Sequence, residues 1–423
     1  MATVGREQEE EMFCRQCGKQ IEESRKFCPF CGADQAAATG AAAAGQPPAG
    51  GKKRGMTTAT IVIIAVVLVL VLAGAAVGIY FGVKGSSSKS KPVTSSKTTP
   101  KPVEPSNTKT AEKIAYLNSK DIDVVNLDGS GMQKLTNRGD IIDFAVSPTG
   151  DMIAFVSQVG DQHIIFKMNA DGTNVSQVTL PEKGMADNPA FDPTGRDIYF
   201  TRITPQDQAN IEASQPFSTG FERYNIASNS VDHLYNFSGM QEQSIVGLFP
   251  DPAGGNLYFN HYGSDFPSST PYKLTLGANP TATVYMPMVT DTSQYTALAY
   301  QLTGFSMDGA YLSYYKQALT PNSSTGPRID ACYRNQVTDA ETSVASYVQG
   351  ESSQDNVKGM QFSSVDKNKY YYSKVSAVGP GSAWTLDFHE GTTDGTQSAT
   401  GLSITIADAQ NSEVVWHPLA VKR

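Results

Sequence analysis

One run of side chains rules out most folds for this chain as a whole. Residues 57–83 include ATIVIIAVVLVLVLAGAAVGIYFGV, and between Arg54 and Lys84 the one ionisable side chain is the phenol of Tyr80. About 20 consecutive apolar residues cross the hydrocarbon core of a bilayer as a helix, and a helix satisfies its own backbone groups there. Gly74, Ala75, Ala76 and Gly78, followed by Tyr80 and Phe81, suit a spanning helix with an aromatic edge. The run is long for the h-region of a signal peptide, and a whole segment precedes it. The expectation is one uncleaved anchor that splits the 423 residues into a small part and a large one.

The formal net charge of −8 is unevenly shared. Residues 1–110 carry 14 Lys and Arg against 8 Asp and Glu, whereas 111–423 carry 19 against 33. The large part is therefore acidic, which favours solubility and disfavours non-specific attraction to nucleic acid or anionic polymers. Of five cysteines, four lie between Cys14 and Cys31. The large part keeps Cys332 alone and so has no internal disulfide; burial as a small hydrophobe is its simplest role.

The cysteine-bearing stretch reads FCRQCGKQIEESRKFCPFCGA. Cys14 and Cys17 form one C-x-x-C and Cys28 and Cys31 a second, each followed by glycine, at Gly18 and Gly32. Two such turns can offer four thiolates to one tetrahedral Zn2+. The glycines let the backbone turn tightly, so that its amides point at the sulfurs. So short a segment buries little core, and a structural metal has to supply most of its folding free energy. The pattern resembles the short zinc-ribbon domain at the N-termini of many prokaryotic membrane proteins. That resemblance implies one structural zinc held by Cys14, Cys17, Cys28 and Cys31. Arg15, Lys19, Arg25 and Lys26 are offset by Glu22, Glu23 and the acidic tail, so contact with a cytosolic protein or a purely structural role is favoured over contact with nucleic acid.

The remaining segments before residue 111 read as connectors. Residues 1–12 are an acidic tail, 13–33 the ribbon, and 34–56 an Ala/Gly-rich flexible linker ending in Lys52, Lys53 and Arg54. Residues 84–110 form a Ser/Thr/Lys/Pro-rich stalk without an apolar run, expected to be disordered. Flanking charge mildly opposes an inward N-terminus, because Lys84, Lys89, Lys91, Lys97 and Lys101 follow the anchor. Four zinc-binding thiolates survive best in a reducing cytosol. The expected arrangement in the cell membrane is thus a cytoplasmic N-terminus and an extracytoplasmic C-terminal domain.

Residues 111–423 repeat themselves. The run IAYLNSKDIDVVNLDGSGMQKLT, starting at Ile114, matches IAFVSQVGDQHIIFKMNADGTNVSQVT, starting at Ile153. A turn block recurs as FAVSPTGD, AFDPTGRDIYF, FPDPAGGNLYF, FSMDGAYLSYY and FSSVDKNKYYYS. Each unit reads as an apolar strand, a Pro/Asp-Gly hairpin, a returning strand, and an Asp-Gly turn into an outer strand. Anchors at Pro148, Pro193, Pro252, Met307, Val365 and Pro418 count six units. A single four-stranded sheet cannot bury both faces, whereas radial stacking of several can. The first unit lacks its innermost strand, and VVWHP near the C-terminus most simply supplies it. The expected fold class is all-β, a six-bladed β-propeller with C-terminal strand closure, beside the zinc ribbon and one transmembrane helix. A sandwich or a seventh blade is the alternative. The blocks SPTGDMIAF, NADGT and VT resemble the TolB-like, WD40-like PD40 propeller repeat, well for the first three blades and less so afterwards. That resemblance implies protein or ligand binding on a propeller face.

No catalytic pattern stands out. A G-x-S-x-G elbow is absent, and Ser364 and Lys367 share an S-x-x-K spacing inside an expected turn. His163, His233, His261, His389 and His417 are scattered over different units, and the Asp-Gly pairs at Asp128, Asp171, Asp308 and Asp394 read as turns rather than calcium loops. Trp384 and Trp416 read as core. Long polar insertions at 204–220, 262–272 and 318–327 are expected to carry recognition. The sequence therefore points to a binding or sensing module, not an enzyme, with an envelope or extracellular protein or glycan as ligand. The alternatives are a regulator whose ribbon contacts nucleic acid or a cytosolic partner, and an envelope enzyme with its site in the propeller channel.

Overall fold

The computed structural model describes residues 12–13, 20–21, 111–213, 215, 217–239, 244–262, 269–290, 297–319, 326–348, 356–378, 383–407 and 414–421. In the N-terminal segment Met12–Phe13 pairs with Gln20–Ile21 as an antiparallel ladder. Cys14 and Cys17 fall between these two strands in the sequence. Cys14, Cys17, Cys28 and Cys31 themselves, the linker at 34–56, the apolar run at 57–83 and the stalk at 84–110 lie outside the described residues. Among the described residues no helix is long and apolar enough to cross a membrane.

From Ala111 onward the turn blocks do what local chemistry dictates. In the first, the Ser147 hydroxyl accepts from the backbone N–H groups of Asp151 and Met152. In the second, the Asp192 carboxylate accepts from the N–H groups of Arg196 and Asp197. Ser306 takes the same role by accepting from Tyr311 N, and Ser363 by accepting from Val365 N and Asp366 N. The turn is thus held by a side chain one residue before Pro148, Pro193 and Met307 and two before Val365, which is why Met307 and Val365 stand there without loss of the hairpin. The threonine that ends each early repeat is equally explained. Thr136 Oγ1 accepts from Ile122 N and Thr179 Oγ1 from Ile165 N, so each ties the end of its unit back to that unit's third strand.

Six separate sheets result. Blade 1 runs outward from the axis as Trp416–Val421, Ala111–Asn118, Asp121–Asn126 and Gln133–Lys134. Blade 2 is Ile141–Val146, Met152–Val159, Gln162–Asn169 and Ser176–Gln177. Blade 3 is Met185–Phe191, Asp197–Ile203, Phe217–Asn225 and Ser230–Gly239, with the helix α1 (Pro205–Glu212) between its second and third strands. Blade 4 is Ser244–Pro250, Asn256–Tyr262, Ser269–Thr275 and Thr281–Val284. Blade 5 is Ala297–Phe305, Tyr311–Leu319, Arg328–Asn335 and Glu341–Val348, and blade 6 is Val357–Phe362, Lys369–Val378, Trp384–Thr392 and Gln397–Ile406. The first strands touch one another in turn around the ring.

The closing strand behaves as the repeat count requires. Trp416–Val421 pairs antiparallel with Ala111–Asn118, from Trp416 opposite Tyr116 to Val421 opposite Ala111. Pro418, counted above as a turn anchor, instead sits within this strand opposite Ile114. An innermost strand has a neighbour on one side alone, so a residue without an N–H is tolerated there. Blade 5 also departs from the four-strand pattern, because Val289–Thr290 adds a short fifth strand against the start of Ala297–Phe305.

The core is not one mass but six wedges, one at each seam between neighbouring blades. Between blades 6 and 1 it is Tyr371, Leu386, Phe388 and Ile404 against Ile114, Tyr116 and Trp416. Between blades 1 and 2 it is Ile122 and Val124 against Phe155 and Phe166. The remaining four seams carry equivalent clusters. Glu112 adds a polar clasp at the closure, accepting from Ser364 N and from the hydroxyls of Ser363, Ser364 and Tyr371. The S-x-x-K pair is thereby accounted for, since Ser364 holds Glu112 and Lys367 forms an ion pair with Asp308 at 3.3 Å.

One buried group in blade 1 is poorly served. Asp123 receives a 3.1 Å hydrogen bond from Asn118 Nδ2 on Oδ2, while Oδ1 has no hydrogen-bond partner. Burial, with Asp121 nearby, raises its pKa against the opposing pull of Asn118 and Lys134. A carboxyl whose pKa is raised on folding is penalised once the pH climbs above its unfolded value. Asp123→Asn is therefore expected to stabilise the domain at pH 7, read as a rise in melting midpoint. The gain disappears near pH 3, which thermal melts at the two pH values measure.

Candidate functional site

Strand direction divides the propeller into two unlike faces. Connections from first to second and from third to fourth strands are the tight turns just described, and they share one face. Connections from second to third strands, and from each blade to the next, share the other. Ala111 pairs with Val421 at the tight-turn face, so the chain enters and leaves the propeller there. On the opposite face the second-to-third connections are short in blades 1 and 2, at Ser119–Lys120 and Gly160–Asp161. In blades 3, 4, 5 and 6 they lengthen to 204–216, 263–268, 320–327 and 379–383. The insertions singled out in the sequence thus all belong to this face, although 263–268 and 320–325 lie outside the described residues.

On the same face the ring encloses a cavity of about 990 Å³, at the upper end for small-molecule and peptide pockets. Its walls come from the first strands of all six blades, including Asp143, Asp187, Val246, Gln301, Lys358 and Trp416. A recurrent irregularity shapes it. The first strands of blades 2 to 6 each slip register against the second strand, at Ile141/Asp143, Asp187/Ala190, Val246/Leu248, Leu302/Gly304 and Val357/Met360. Such bulges bend a strand and re-aim its side chains. Asn188, at one of them, accepts from Gly247 N and donates to Ile245 O and Thr201 Oγ1, locking blade 3 to blade 4. Asn260 makes the corresponding lock by accepting from Leu302 N and donating to Leu302 O.

The ionisable groups of the wall are few and placed on particular blades. His163 Nδ1 and Asp187 Oδ1 stand 2.7 Å apart and bridge blades 2 and 3. Asp143 accepts from the N–H of Phe144 at 2.8 Å. Lys358 lies across the ring on blade 6, its ammonium 4.5 Å from the ring centre of Trp384. The other histidines have varied settings. His261 packs among Phe237 and Tyr272, His389 stacks on Tyr372, His233 is exposed on an outer strand, and His417 meets Phe144 edge-on at 5.0 Å in the channel wall. Trp416 is buried core, as read from the sequence, whereas Trp384 is half-buried at the seam of blades 6 and 1. Cys332 is fully buried and its thiol is pushed up to about 12 by burial, so it is inert. The Asp-Gly carboxylates serve their own turns: Asp128 accepts from Ser130, Asp171 from Thr173 and Asp394 from Thr396. Among the described residues no cluster of three or more His, Cys, Asp or Glu is placed to hold a metal ion.

Sequence reading passed over Asp143, Asp187 and the asparagine locks, and set His163 aside as one of five scattered histidines. The available signal was Gly or Asn inside an otherwise apolar strand, as at Asn188, Gly247, Gly304 and Gly359, which marks a bulge. The joining of His163 to Asp187 across a seam leaves no trace in local spacing.

Burial of His417 deep in the channel wall lowers its pKa to about 4, opposed by a hydrogen bond with the Phe144 backbone. The imidazole is then neutral in the folded protein and charges more readily in the unfolded chain. Stability from this residue is complete above about pH 6.5 and is lost as the pH falls toward 4. The difference corresponds to at most about 3 kcal/mol, because His417 is half-buried and lines the channel. His417→Gln is expected to flatten the acid limb of the stability curve between pH 6.5 and 4.5, as read by urea titrations across that range.

The fold and channel together define a six-bladed β-propeller with an axial pocket, joined to an N-terminal ribbon. Residues 13–34 match the zinc-ribbon domain family. No curated protein matches the chain. Among solved structures, TolB from Acinetobacter baumannii is 15% identical, with 75% of this chain and 68% of that one covered and a TM-score of 0.48. A TolB homologue from Agrobacterium tumefaciens is 12% identical over 56% of this chain and 90% of that one, with a TM-score of 0.37. An oligogalacturonate lyase solved with manganese is 11% identical over 69% and 78%, with a TM-score of 0.44. At such values the six-blade assignment rests on the strand pairing described above.

Proposed function

We propose that this protein is a membrane-anchored binding module, not an enzyme, whose ligand sits in the propeller channel. The observation that carries this reading is the pocket itself. The first strands of six blades converge on it, five of them bent by bulges, and α1 of blade 3 contributes Ile211 to its lining. Residues 57–83 serve as the single-pass anchor, which leaves the channel mouth on the face away from the chain's entry at Ala111. The propeller stands outside the cell membrane and the ribbon in the cytoplasm, where a protein partner is favoured over nucleic acid.

The ribbon fits a structural Zn2+. The pairing of Met12–Phe13 with Gln20–Ile21 makes a hairpin that brackets the first C-x-x-C, and four thiolates are the donor set this ion favours. Cys14, Cys17, Cys28 and Cys31 would hold it. Bound zinc supplies fold stability here, not reactivity. Metal analysis of the purified chain is expected to give one zinc per chain, lost in Cys14→Ser/Cys28→Ser.

Site-specific photo-crosslinking in intact envelopes tests the channel. A crosslinker replacing Gln301 in the wall is expected to give a discrete adduct, and one replacing Val231 on the outer strand of blade 3 none. Adducts from Val231 alone refute the channel as the site. Protease added to intact cells is expected to remove the acidic portion after residue 110; full protection refutes the sidedness.

A further inference from the structure

We infer that the channel takes an extended polypeptide segment carrying apolar side chains and at least one Lys or Arg. This deepens the binding reading above and rests on it. The notable feature of the wall is which of its polar groups are already engaged. Asn188 and Asn260 are committed to locks between blades. Thr201 donates to Asp187 O, Thr303 to Ser313 Oγ, and Ser269 to Tyr300 O. Much of the remaining wall is apolar, with Ile142, Ile203, Phe217, Phe249, Met360 and Val415 among its residues. A buried sugar carries a hydroxyl on nearly every ring carbon, and each hydroxyl left unpaired costs free energy. An extended peptide also brings an N–H and a C=O per residue that need partners, but it carries apolar side chains that a sugar lacks. Its alternating side chains suit apolar walls, and its amides suit Gln301, Gln317 and Gln361, which can both donate and accept.

Charge selects the kind of side chain. Asp143 and Asp187 both line the channel on adjacent blades. The opposing cation, Lys358, places its ammonium by the ring of Trp384, which is not a wall residue. The field inside the channel is therefore negative on the side of blades 2 and 3, within a domain that is acidic as a whole. Next to it, over blades 1 and 2, the rim is low, where Ser119–Lys120 and Gly160–Asp161 are two-residue connections. From blade 3 itself rises α1, none of whose residues is buried, with Ile211 41% exposed and lining the mouth. A chain segment can thus enter over blades 1 and 2 without displacing a loop. Its basic group comes to rest beside Asp143 and the His163–Asp187 pair, and its apolar groups lie toward blades 4 to 6.

Fluorescence anisotropy on the full chain tests this with three probes: a hexapeptide of Ala, Val and Lys, the same peptide with Glu for Lys, and a neutral hexasaccharide. The Lys peptide is expected to bind about tenfold more tightly than the Glu peptide. Asp143→Asn/Asp187→Asn is expected to abolish that preference, and Gln301→Trp, which fills the channel, to abolish binding. Should the double variant not fold, the two single variants are read in the same assay, each expected to weaken the preference. Equal binding of the two peptides, preference for the saccharide, or a Lys preference that survives the aspartate changes overturns the inference while leaving the channel reading intact, provided Gln301→Trp still blocks. Binding undiminished in Gln301→Trp overturns both.

Discussion

Trp416→Ala is expected to be the most damaging single change in the propeller. The side chain is 2% exposed and lies where the last strand of the chain completes the first blade. Its ring meets Phe388 edge-on at 5.0 Å, and Nε1 donates to Lys358 O at 2.8 Å and to Ser373 Oγ at 3.2 Å. Truncation leaves a large void in the wedge between blades 6 and 1 and strips partners from buried polar atoms on blade 6. Cavity formation at a buried aromatic costs about 3–5 kcal/mol, a fall of roughly 10 °C in melting midpoint for a domain of this size. The position matters as much as the area. Every other blade draws its strands from one continuous stretch of chain, whereas this blade is assembled from the two ends of the domain. A weakened closure exposes two blade edges at once, so limited proteolysis is expected to cut the variant first near the C-terminus. A melting midpoint within about 3 °C of wild type would show that Trp416 is not what fastens the ring.

Gly150→Ala tests the same seam from the other side. Gly150 sits at φ +69° in the turn between the first two strands of blade 2, and a methyl group there would stand 2.2 Å from Ala420 O and 2.8 Å from Ala420 Cβ. Two penalties add. The left-handed conformation costs a non-glycine residue about 1 kcal/mol, and the clash pushes the turn off the closing strand at a cost of about 2 kcal/mol. Gly254, in the corresponding turn of blade 4, has φ +79° and nothing within 4 Å of the added methyl. Gly254→Ala is thus expected to lose the conformational part alone, about 1 kcal/mol. Chemical denaturation of the two variants separates backbone strain from contact with the closing strand. Equal losses would remove the close approach as the cause.

The pair also shows where sequence reading ends. Gly150 and Gly254 look alike in SPTGD and DPAGG, because a turn is decided within a few residues. The local blocks were fully legible in this sense. They gave the strand–turn–strand order, the number of units and the missing inner strand. They even gave the blades whose turn proline is replaced, since Ser306 and Ser363 do the holding. Pro418 was misread for the same reason, as its surroundings resemble a turn block and nothing nearby says that its partner is Ile114.

What the sequence by itself determined is the part of the structure built from short-range bonds: a β-rich repeat, its period, its six copies, and a separate cysteine cluster spaced for a metal. What the tertiary structure alone decided is everything made between copies. The Glu112 clasp on Ser363 and Ser364, the Trp416 bond to Lys358, the lock from Asn188 to Gly247 and the bridge from His163 to Asp187 all join blades. Such contacts depend on the angle at which one sheet meets the next, set by the packing of whole wedges of apolar side chains. The channel is the space those angles leave over, and it therefore has no counterpart in any single stretch of the chain.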